Sequence, residues 1–132
     1  MHKGSCLCGK VRYEVSGDID EVSMCHCKQC QKAQGSAFAA VAPVRSADFR
    51  ITQGAEYLKE YRATPNKARV FCLECGSPLY SARDDRPEMK RLRLGTLDTR
   101  ILADKRYHAW VSSKAEWFDL ADELPRFPEF AR

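Results

Sequence analysis

Three cysteines lie within the six residues Cys25 to Cys30, and this spacing constrains the chain more than any other feature of the sequence. Three thiols in so short a segment are too crowded for ordinary packing, but they suit one metal ion. Zinc takes thiolate ligands in a tetrahedron at about 2.3 Å, and a C-x-C-x-x-C loop can supply three corners. A fourth cysteine would make the site structural, whereas a vacant corner would be open to water or substrate.

The other four cysteines form two pairs, with C-x-C and C-x-x-C spacing: Cys6, Cys8, Cys72 and Cys75. The simplest partition joins these pairs in a closed four-thiolate site and leaves the C-x-C-x-x-C cluster with one vacant position. An alternative joins Cys27 and Cys30 to the later C-x-x-C pair. The 41 residues between those two pairs exceed the roughly 15–20 of the usual zinc-ribbon spacing. This alternative also leaves three cysteines without partners.

Disulfides and thiol redox chemistry are the competing interpretations of the seven cysteines. An odd number cannot pair completely within one chain, and a bridge between neighbours in C-x-C is strained. Residues 1–5 are polar and lack the apolar segment of a signal peptide. We therefore expect a cytoplasmic protein, because clustered cysteines in a reducing compartment more often bind metal than form bridges. A redox C-x-x-C belongs with βαβ patterns, which we do not find in this sequence.

The length of 132 residues predicts one domain, residues 1–132, long enough to bury roughly two-thirds of its unfolded surface. No apolar run approaches the roughly 20 residues that span a bilayer, so we expect no membrane role. The sequence does not determine the oligomeric state, and a homodimer is compatible with it.

The formal net charge of +4 is spread along the chain, and its densest group is Lys90, Arg91 and Arg93. In a strand, Arg91 and Arg93 share one face, and we interpret that face as solvated. The functional alternative is a mild attraction for anionic small molecules or nucleic acid. Because no nucleic-acid-binding module is recognised, we do not expect nucleic acid as a partner.

Strand patterns dominate the chain, and the clearest is the alternation that places Val11, Tyr13 and Val15 on one buried face. Residues 28–34 predict one or two helical turns, with Gly35 as the C-terminal cap. Pro43 argues against an uninterrupted central strand over residues 36–44. Further strands are predicted at 49–52, 57–61, 68–72, 79–81, 90–97 and 107–111.

Glycines follow both of the outer cysteine motifs, as Gly9 and Gly76, where we expect tight turns with positive φ. The tail from residue 124 to 130 contains two prolines and is predicted to be non-helical. We expect its two phenylalanines to pack on the same domain, with an interaction peptide as the alternative.

Histidine is the commonest metal partner of cysteine, so each candidate needs its own interpretation. In an extended C-H-C segment the side chain of His26 points away from its neighbours, which argues against a ligand. His108 lies in a predicted strand and is interpreted as a polar residue with satisfied hydrogen bonds, with a general base as the alternative. Trp110, Trp117 and Phe118 are assigned to the core.

Several motifs recur together: G-S-C-L-C-G at 4–9, C-H-C with Cys30, K-A-Q-G-S-A-F at 32–38, F-C at 71–72, C-G-S-P-L-Y at 75–80, and S-K-A at 113–115 with Trp117 and L-P at 124–125. This set closely resembles the glutathione-dependent formaldehyde-activating family, which includes centromere protein V. The resemblance covers nearly the whole chain, and all seven cysteines match. It implies a mainly β, tent-like zinc-binding fold shared with a Rab-interacting chaperone.

The resemblance also implies the roles of the cysteines. A structural zinc would be held by Cys6, Cys8, Cys72 and Cys75. A second, catalytic zinc with an open position would be held by Cys25, Cys27 and Cys30, which gives two Zn²⁺ per chain. Three thiolates leave that ion a weak Lewis acid that can still keep a fourth thiolate deprotonated.

The implied activity is that of a carbon–sulfur lyase. Glutathione, as the thiol cosubstrate, would add to the aldehyde formaldehyde and give S-hydroxymethylglutathione. Lys28, Lys32 and Ser36 are the candidates for holding the anionic peptide, with solvated lysines as the alternative. A non-enzymatic zinc module that binds protein or nucleic acid is the competing function.

Overall fold

The computed structural model describes residues 1–131, which contain ten β-strands and a single α-helix, α1 (Lys28–Gln34). The predicted mainly β fold with one or two helical turns is therefore confirmed. The strands, in chain order, are β1 (His2–Ser5), β2 (Arg12–Val15), β3 (Glu21–Cys25), β4 (Ala39–Arg45), β5 (Phe49–Gln53), β6 (Leu58–Thr64), β7 (Lys67–Cys72), β8 (Pro78–Arg83), β9 (Met89–Arg93) and β10 (Lys105–Ala109). Short 3₁₀ turns occupy Ser46–Asp48, Ala55–Tyr57, Leu94–Thr96 and Val111–Ser113.

The strands form two sheets. The smaller sheet has three antiparallel strands in the order β1-β2-β5, and the larger has seven in the order β10-β3-β4-β9-β8-β7-β6. Every pairing in the large sheet is antiparallel except that of β3 with β10, which is parallel and joins residues 21–25 to residues 105–109. The strand that ends in Cys25 is therefore held on one side by a segment from much later in the chain.

The main core lies between the small sheet and one face of the large sheet. Val11, Tyr13 and Val15 of the β2 region are at most 1% exposed, as their alternation predicts. They pack with Ala42, Val44, Cys72, Leu79 and Leu92 from the large sheet. Because side chains alternate across a strand, the residues between these core positions project from the opposite face of the large sheet.

Helix α1 begins and ends where its sequence predicts. Its N-cap is Cys27, whose Sγ accepts a hydrogen bond from the backbone N–H of Cys30 at 3.3 Å. Gly35 is the left-handed C-cap, and its N–H donates to the carbonyl of Gln31. The cysteine loop from residue 25 to residue 30 therefore includes the N-terminus of the helix.

Two strand predictions extend too far, and the break expected at Pro43 does not occur. The predicted strand 90–97 is strand only from Met89 to Arg93, because the chain turns into a 3₁₀ helix at Leu94. The strand predicted at 107–111 ends at Ala109, because Trp110 adopts a positive φ of 59°. Pro43 lies inside the central strand β4, where its missing N–H is tolerated because β3 pairs only with residues 39–41.

Within residues 1–131, the structure contains no helix with the length and apolar character needed to cross a membrane.

Candidate metal centre and cavity

The first cysteine cluster forms where the two sheets meet. The C-x-C pair lies between β1 and β2, whereas the C-x-x-C pair begins at the last residue of β7 and ends in the turn before β8. The four Sγ atoms, from Cys6, Cys8, Cys72 and Cys75, all lie within 4.8 Å of one another. Gly9 and Gly76 close the two turns with φ of 78° and 80°, as predicted, and each N–H donates to a cysteine carbonyl three or four residues earlier, at 3.0 and 2.7 Å.

The geometry of this cluster fits a tetrahedral metal ion. Bonds of about 2.3 Å in a tetrahedron place neighbouring sulfurs about 3.8 Å apart. The Sγ atoms of Cys6 and Cys8 are 3.5 Å apart, and those of Cys8 and Cys72 are 3.9 Å apart. All seven cysteines of the chain are free thiols, so no disulfide competes for these ligands. The predicted four-plus-three grouping is therefore the one in which the thiols assemble.

The second cluster consists of Cys25, Cys27 and Cys30, whose Sγ atoms also lie within 4.8 Å of one another. Cys25 ends β3, Cys27 caps α1 and Cys30 lies in the first helical turn, so a strand end and a helix start converge on one point. Cys25 and Cys30 are buried, and Cys27 is half-buried. No fourth ligand joins this cluster among the described residues.

Charge is unevenly shared among these three thiols. Hydrogen bonds from Cys25 and Cys27 lower the pKa of Cys30, and the positive charges of Arg93 and Arg69 lower it further. The pKa of Cys25 is raised by its contacts with Cys27 and Cys30 and by burial. The surroundings therefore favour a thiolate at Cys30 before any metal is bound, and a deprotonated sulfur is the form that binds metal.

A cavity of about 970 Å³ opens beside the second cluster, and all three of its cysteines line the wall. Trp110 and Phe130, whose rings meet edge to face with centroids 5.2 Å apart, form an aromatic wall. Basic side chains line other parts of the cavity, mainly from β7, β8 and β9: Lys28, Lys67, Arg69, Arg83, Arg86 and Arg91. A ligand with one anionic end and a thiol would find both complements here.

The strand-face interpretation of the basic residues is wrong for Arg93. Arg93 is only 3% exposed, and its Nη2 donates to the Oγ of Ser81 at 3.2 Å. Burial lowers its pKa to about 10. Arg91, on the same face, is half-buried and lines the cavity.

Comparison with known proteins adds the family. A profile described as glutathione-dependent formaldehyde-activating enzyme matches residues 1–113. The chain belongs to this family. The resemblance drawn from the sequence motifs is thus confirmed, and the family match includes all seven cysteines.

Two further relatives are consistent with membership in the glutathione-dependent formaldehyde-activating family. An uncharacterized lyase of Schizosaccharomyces pombe is 27% identical over 81 residues, which cover 61% of this chain and 57% of that protein. The chain thus matches little more than half the length of this curated relative. A crystal structure of a Rhodobacter sphaeroides protein superposes with a TM-score of 0.64 at 28% identity, over 79% of this chain and 97% of that one.

Among the candidate substrate contacts, Lys28 lines the cavity of this family member, whereas Lys32 and Ser36 are exposed and lie outside its lining. Other cationic side chains of the cavity lining lie on β7 and β9: Lys67, Arg69 and Arg91. The sequence motifs did not indicate these residues. Trp117 is 73% exposed, so its assignment to the core is wrong. Phe127 and Phe130 pack on Tyr107 and Trp110, as expected for the tail.

His26 is not part of either cysteine cluster, as predicted. It is fully buried, and its Nε2 lies 2.9 Å from Nδ1 of His108. The Nε2 of His108 in turn lies 2.9 Å from a carboxylate oxygen of Asp122. His108 is therefore a polar residue with both ring nitrogens in hydrogen bonds. Sequence reasoning missed Asp122, because nothing local to it indicates a histidine partner.

Proposed function

We propose that the chain is a zinc-dependent carbon–sulfur lyase that forms or cleaves S-hydroxymethylglutathione from glutathione and formaldehyde. The observation that carries the proposal is the contrast between the two cysteine clusters. The three-thiol cluster lines a cavity of about 970 Å³. None of the four thiols of the other cluster lines this cavity. A closed set of ligands suits a structural site, whereas an open set beside a cavity suits a reactive one.

In this proposal each cluster holds one zinc ion, and their roles differ. The structural ion would be held by Cys6, Cys8, Cys72 and Cys75, and the catalytic ion by Cys25, Cys27 and Cys30. When bound at the three-thiol cluster, zinc would supply a position at which a substrate thiol stays deprotonated near neutral pH. The positive charges of Arg93 and Arg69, which lower the pKa of Cys30, help to keep this ligand in the thiolate form.

In the reaction one carbon–sulfur bond forms as the carbon–oxygen π bond breaks. In the direction of synthesis, the thiolate sulfur of glutathione adds to the carbonyl carbon, the π electrons move to oxygen, and that oxygen takes a proton. In the reverse direction, the hydroxyl group gives up its proton, the carbon–sulfur bond breaks and its electron pair returns to sulfur. The cavity contributes mainly by holding both reactants together. The rings of Trp110 and Phe130 give the cavity one apolar wall.

The experiment compares exchange between formaldehyde and glutathione, followed by NMR exchange spectroscopy, in three samples at equal thiol concentration: wild type, Cys27→Ser, and buffer alone. The uncatalysed addition also proceeds, so the buffer rate is the reference. We expect faster exchange with the wild type only. Equal rates in all three samples would refute this substrate, and other thiol adducts would then be screened with zinc in place. Tight DNA binding in a mobility-shift assay at moderate salt would favour the non-enzymatic zinc module.

We also propose that residues 1–132 work as a single domain in a reducing cytoplasm. The four-thiol cluster supports the first point, because it joins a loop of the small sheet to a turn of the large one. Seven free thiols support the second, since a reducing compartment preserves them.

A further inference from the structure

The large sheet presents a row of polar and cationic side chains to the cavity. Arg69 on β7 pairs across the sheet with Ser81 on β8, and Ser81 pairs with Arg91 on β9. All three line the cavity, and Lys67 lies two residues from Arg69 on the same face. Because neighbouring strands are about 4.8 Å apart, the two arginine backbones are separated by about 10 Å, with a hydroxyl between them.

This positive charge is not neutralised by the protein. Among residues 1–131, none of Lys67, Arg69 and Arg91 makes an ion pair with a carboxylate. The acidic residue in the cavity lining, Glu21, is already engaged by the hydroxyl of Tyr107 at 2.8 Å and by Lys105. Arg69 and Arg91 lie on either side of β8 with no carboxylate between them, so no attraction within the protein explains this row of charges.

Arg69 shows most clearly that a partner is missing. Its Nη1 is buried and has no hydrogen-bond partner, and its Nη2 reaches only the amide oxygen of Gln29, at 3.4 Å. Buried guanidinium groups normally have their donors satisfied, since an unmade hydrogen bond costs free energy. The two nitrogens of one guanidinium face match the two oxygens of a carboxylate.

The thiolates of the metal cluster do not account for this surplus. Three thiolates with one divalent ion carry one net negative charge. Four cationic side chains lie on this side of the large sheet: Lys67, Arg69 and Arg91, which line the cavity, and the buried Arg93. Their combined charge exceeds the single negative charge of the cluster, so this wall of the cavity keeps a net positive charge.

We propose that Arg69 and Arg91, with Lys67 beside them, form an anion subsite that binds a carboxylate of the thiol substrate. The inference rests on the proposed function, because it takes the three-thiol cluster as the place where the substrate sulfur binds. It narrows the substrate to low-molecular-weight thiols that bear a carboxylate some distance from the sulfur. Neutral thiols and aminothiols without a carboxylate are excluded as good substrates.

The test separates anion binding from chemistry by using S-methylglutathione, which keeps both carboxylates but has no free thiol. Binding to the zinc-loaded full chain is followed by NMR titration at low salt, with the dimethyl ester of S-methylglutathione as the probe that lacks both carboxylates and inorganic phosphate as a competitor. The variants are Arg69→Gln, Arg91→Gln and Arg69→Lys. Arg50→Gln is the matched control, because Arg50 lies on the small sheet and is paired with Glu14 at 3.3 Å.

We expect S-methylglutathione to bind the wild type and Arg50→Gln equally, and to bind Arg69→Gln and Arg91→Gln roughly ten- to a hundredfold more weakly. The dimethyl ester should bind the wild type as weakly as it binds Arg69→Gln and Arg91→Gln. Arg69→Lys should recover part of the affinity for S-methylglutathione that Arg69→Gln loses. Phosphate that competes better than a simple carboxylate such as acetate would overturn the assignment to a carboxylate. Equal binding of ester and acid, no binding to the wild type, or wild-type affinity in Arg69→Gln would overturn the subsite itself.

The two proposals fail in different ways. If S-methylglutathione binding depends on Arg69 but formaldehyde exchange is no faster than in buffer, the subsite stands and the proposed reaction fails. If exchange is accelerated but the KM for glutathione is the same in Arg69→Gln and the wild type, the reaction stands and the subsite fails. Circular dichroism and zinc content of each variant confirm that the fold and the metals are retained.

Discussion

Nε2 of His26 lies 2.9 Å from Nδ1 of His108, so the residue between two candidate metal ligands is joined directly to β10. The backbone strengthens this connection, because the N–H of His26 donates to the carbonyl of Ala109 at 2.9 Å. Asp122 extends the chain of hydrogen bonds to the C-terminal segment. The direction in which the three-thiol loop faces is therefore set by residues that follow it by more than eighty positions.

The first prediction concerns this link. His108→Phe keeps most of the side-chain volume but leaves the buried Nε2 of His26 without a partner. We expect the free energy of unfolding to fall by about 1–3 kcal/mol, the cost of an unmet buried hydrogen bond. Tyr107→Phe is the control on the same strand, since it removes one half-exposed hydroxyl that bonds to Glu21. Denaturant unfolding that gives the same loss for both variants would contradict the buried link.

The second prediction separates the two metal sites. Cys72→Ser should unfold or aggregate the protein, because Cys72 is fully buried in the cluster that joins the two sheets and metal binding there is coupled to folding. Cys27→Ser should remain folded and lose only the second ion. Elemental analysis should give two zinc ions per chain for the wild type and one for Cys27→Ser, with thermal melting by circular dichroism as the stability measurement. If Cys72→Ser and Cys27→Ser melted at similar temperatures, the two sites would not differ in their structural role, and this prediction would be wrong.

The third prediction concerns Arg93, whose buried positive charge lies beside the three thiols. Arg93→Met should weaken zinc binding at the three-thiol site by about 10- to 100-fold, the usual effect of removing a group that supports metal ligands. Zinc at the four-thiol site should be retained. Competition with a chromophoric chelator measures both affinities, and Arg50→Met on the small sheet serves as the control. If Arg93→Met left the zinc affinity of the three-thiol site unchanged, Arg93 would have only a packing role.

The fourth prediction is a pH dependence of stability that comes from Lys67. Burial, followed by the charge of Arg69, lowers its pKa from 10.5 to about 8. Between these values the unfolded chain binds a proton that the folded chain has released, so this residue makes the free energy of unfolding rise with pH. Below the lower value both states are protonated, and the cost of the buried charge is present in full.

Lys67→Met removes that cost. The variant should be more stable than the wild type at about pH 7, and its advantage should shrink by about pH 9.5. Urea unfolding at the two pH values gives the difference, in which the titration of the thiols cancels because both proteins contain them. Lys59→Met, at an exposed position on β6, should show no such change. An advantage that grows with pH would have the wrong sign for this explanation.

Local spacing made the metal clusters predictable. Cys27 and Cys30 are separated by one helical turn, and Gly9 and Gly76 mark tight turns whose conformation follows from the residue type. With the spacing of the motifs known, few groupings of the seven cysteines into metal sites remained. Helix α1 was predicted for the same reason, since its cap residues are in the sequence next to it.

Coverage of a strand face by distant segments was not predictable. The alternation of β9 correctly places Arg91 and Arg93 on one face, but it does not tell whether that face meets water. The answer depends on the cavity lining contributed by the helix start and by Trp110 and Phe130. The partnership of His108 with Asp122 is similarly hidden, because it is made by a segment without regular structure.

The parallel pairing of β3 with β10 also sets an order of assembly on the ribosome. All four thiols of the first cluster have been synthesised once Cys75 emerges, whereas β10 begins thirty residues later at Lys105. Until then β3 is an unpaired sheet edge, and the loop that follows it lacks the backing of Ala109. The three-thiol loop is complete at Cys30 but gains its backing from Ala109 only when β10 has joined the sheet, so its final orientation should be among the last features of the fold to form.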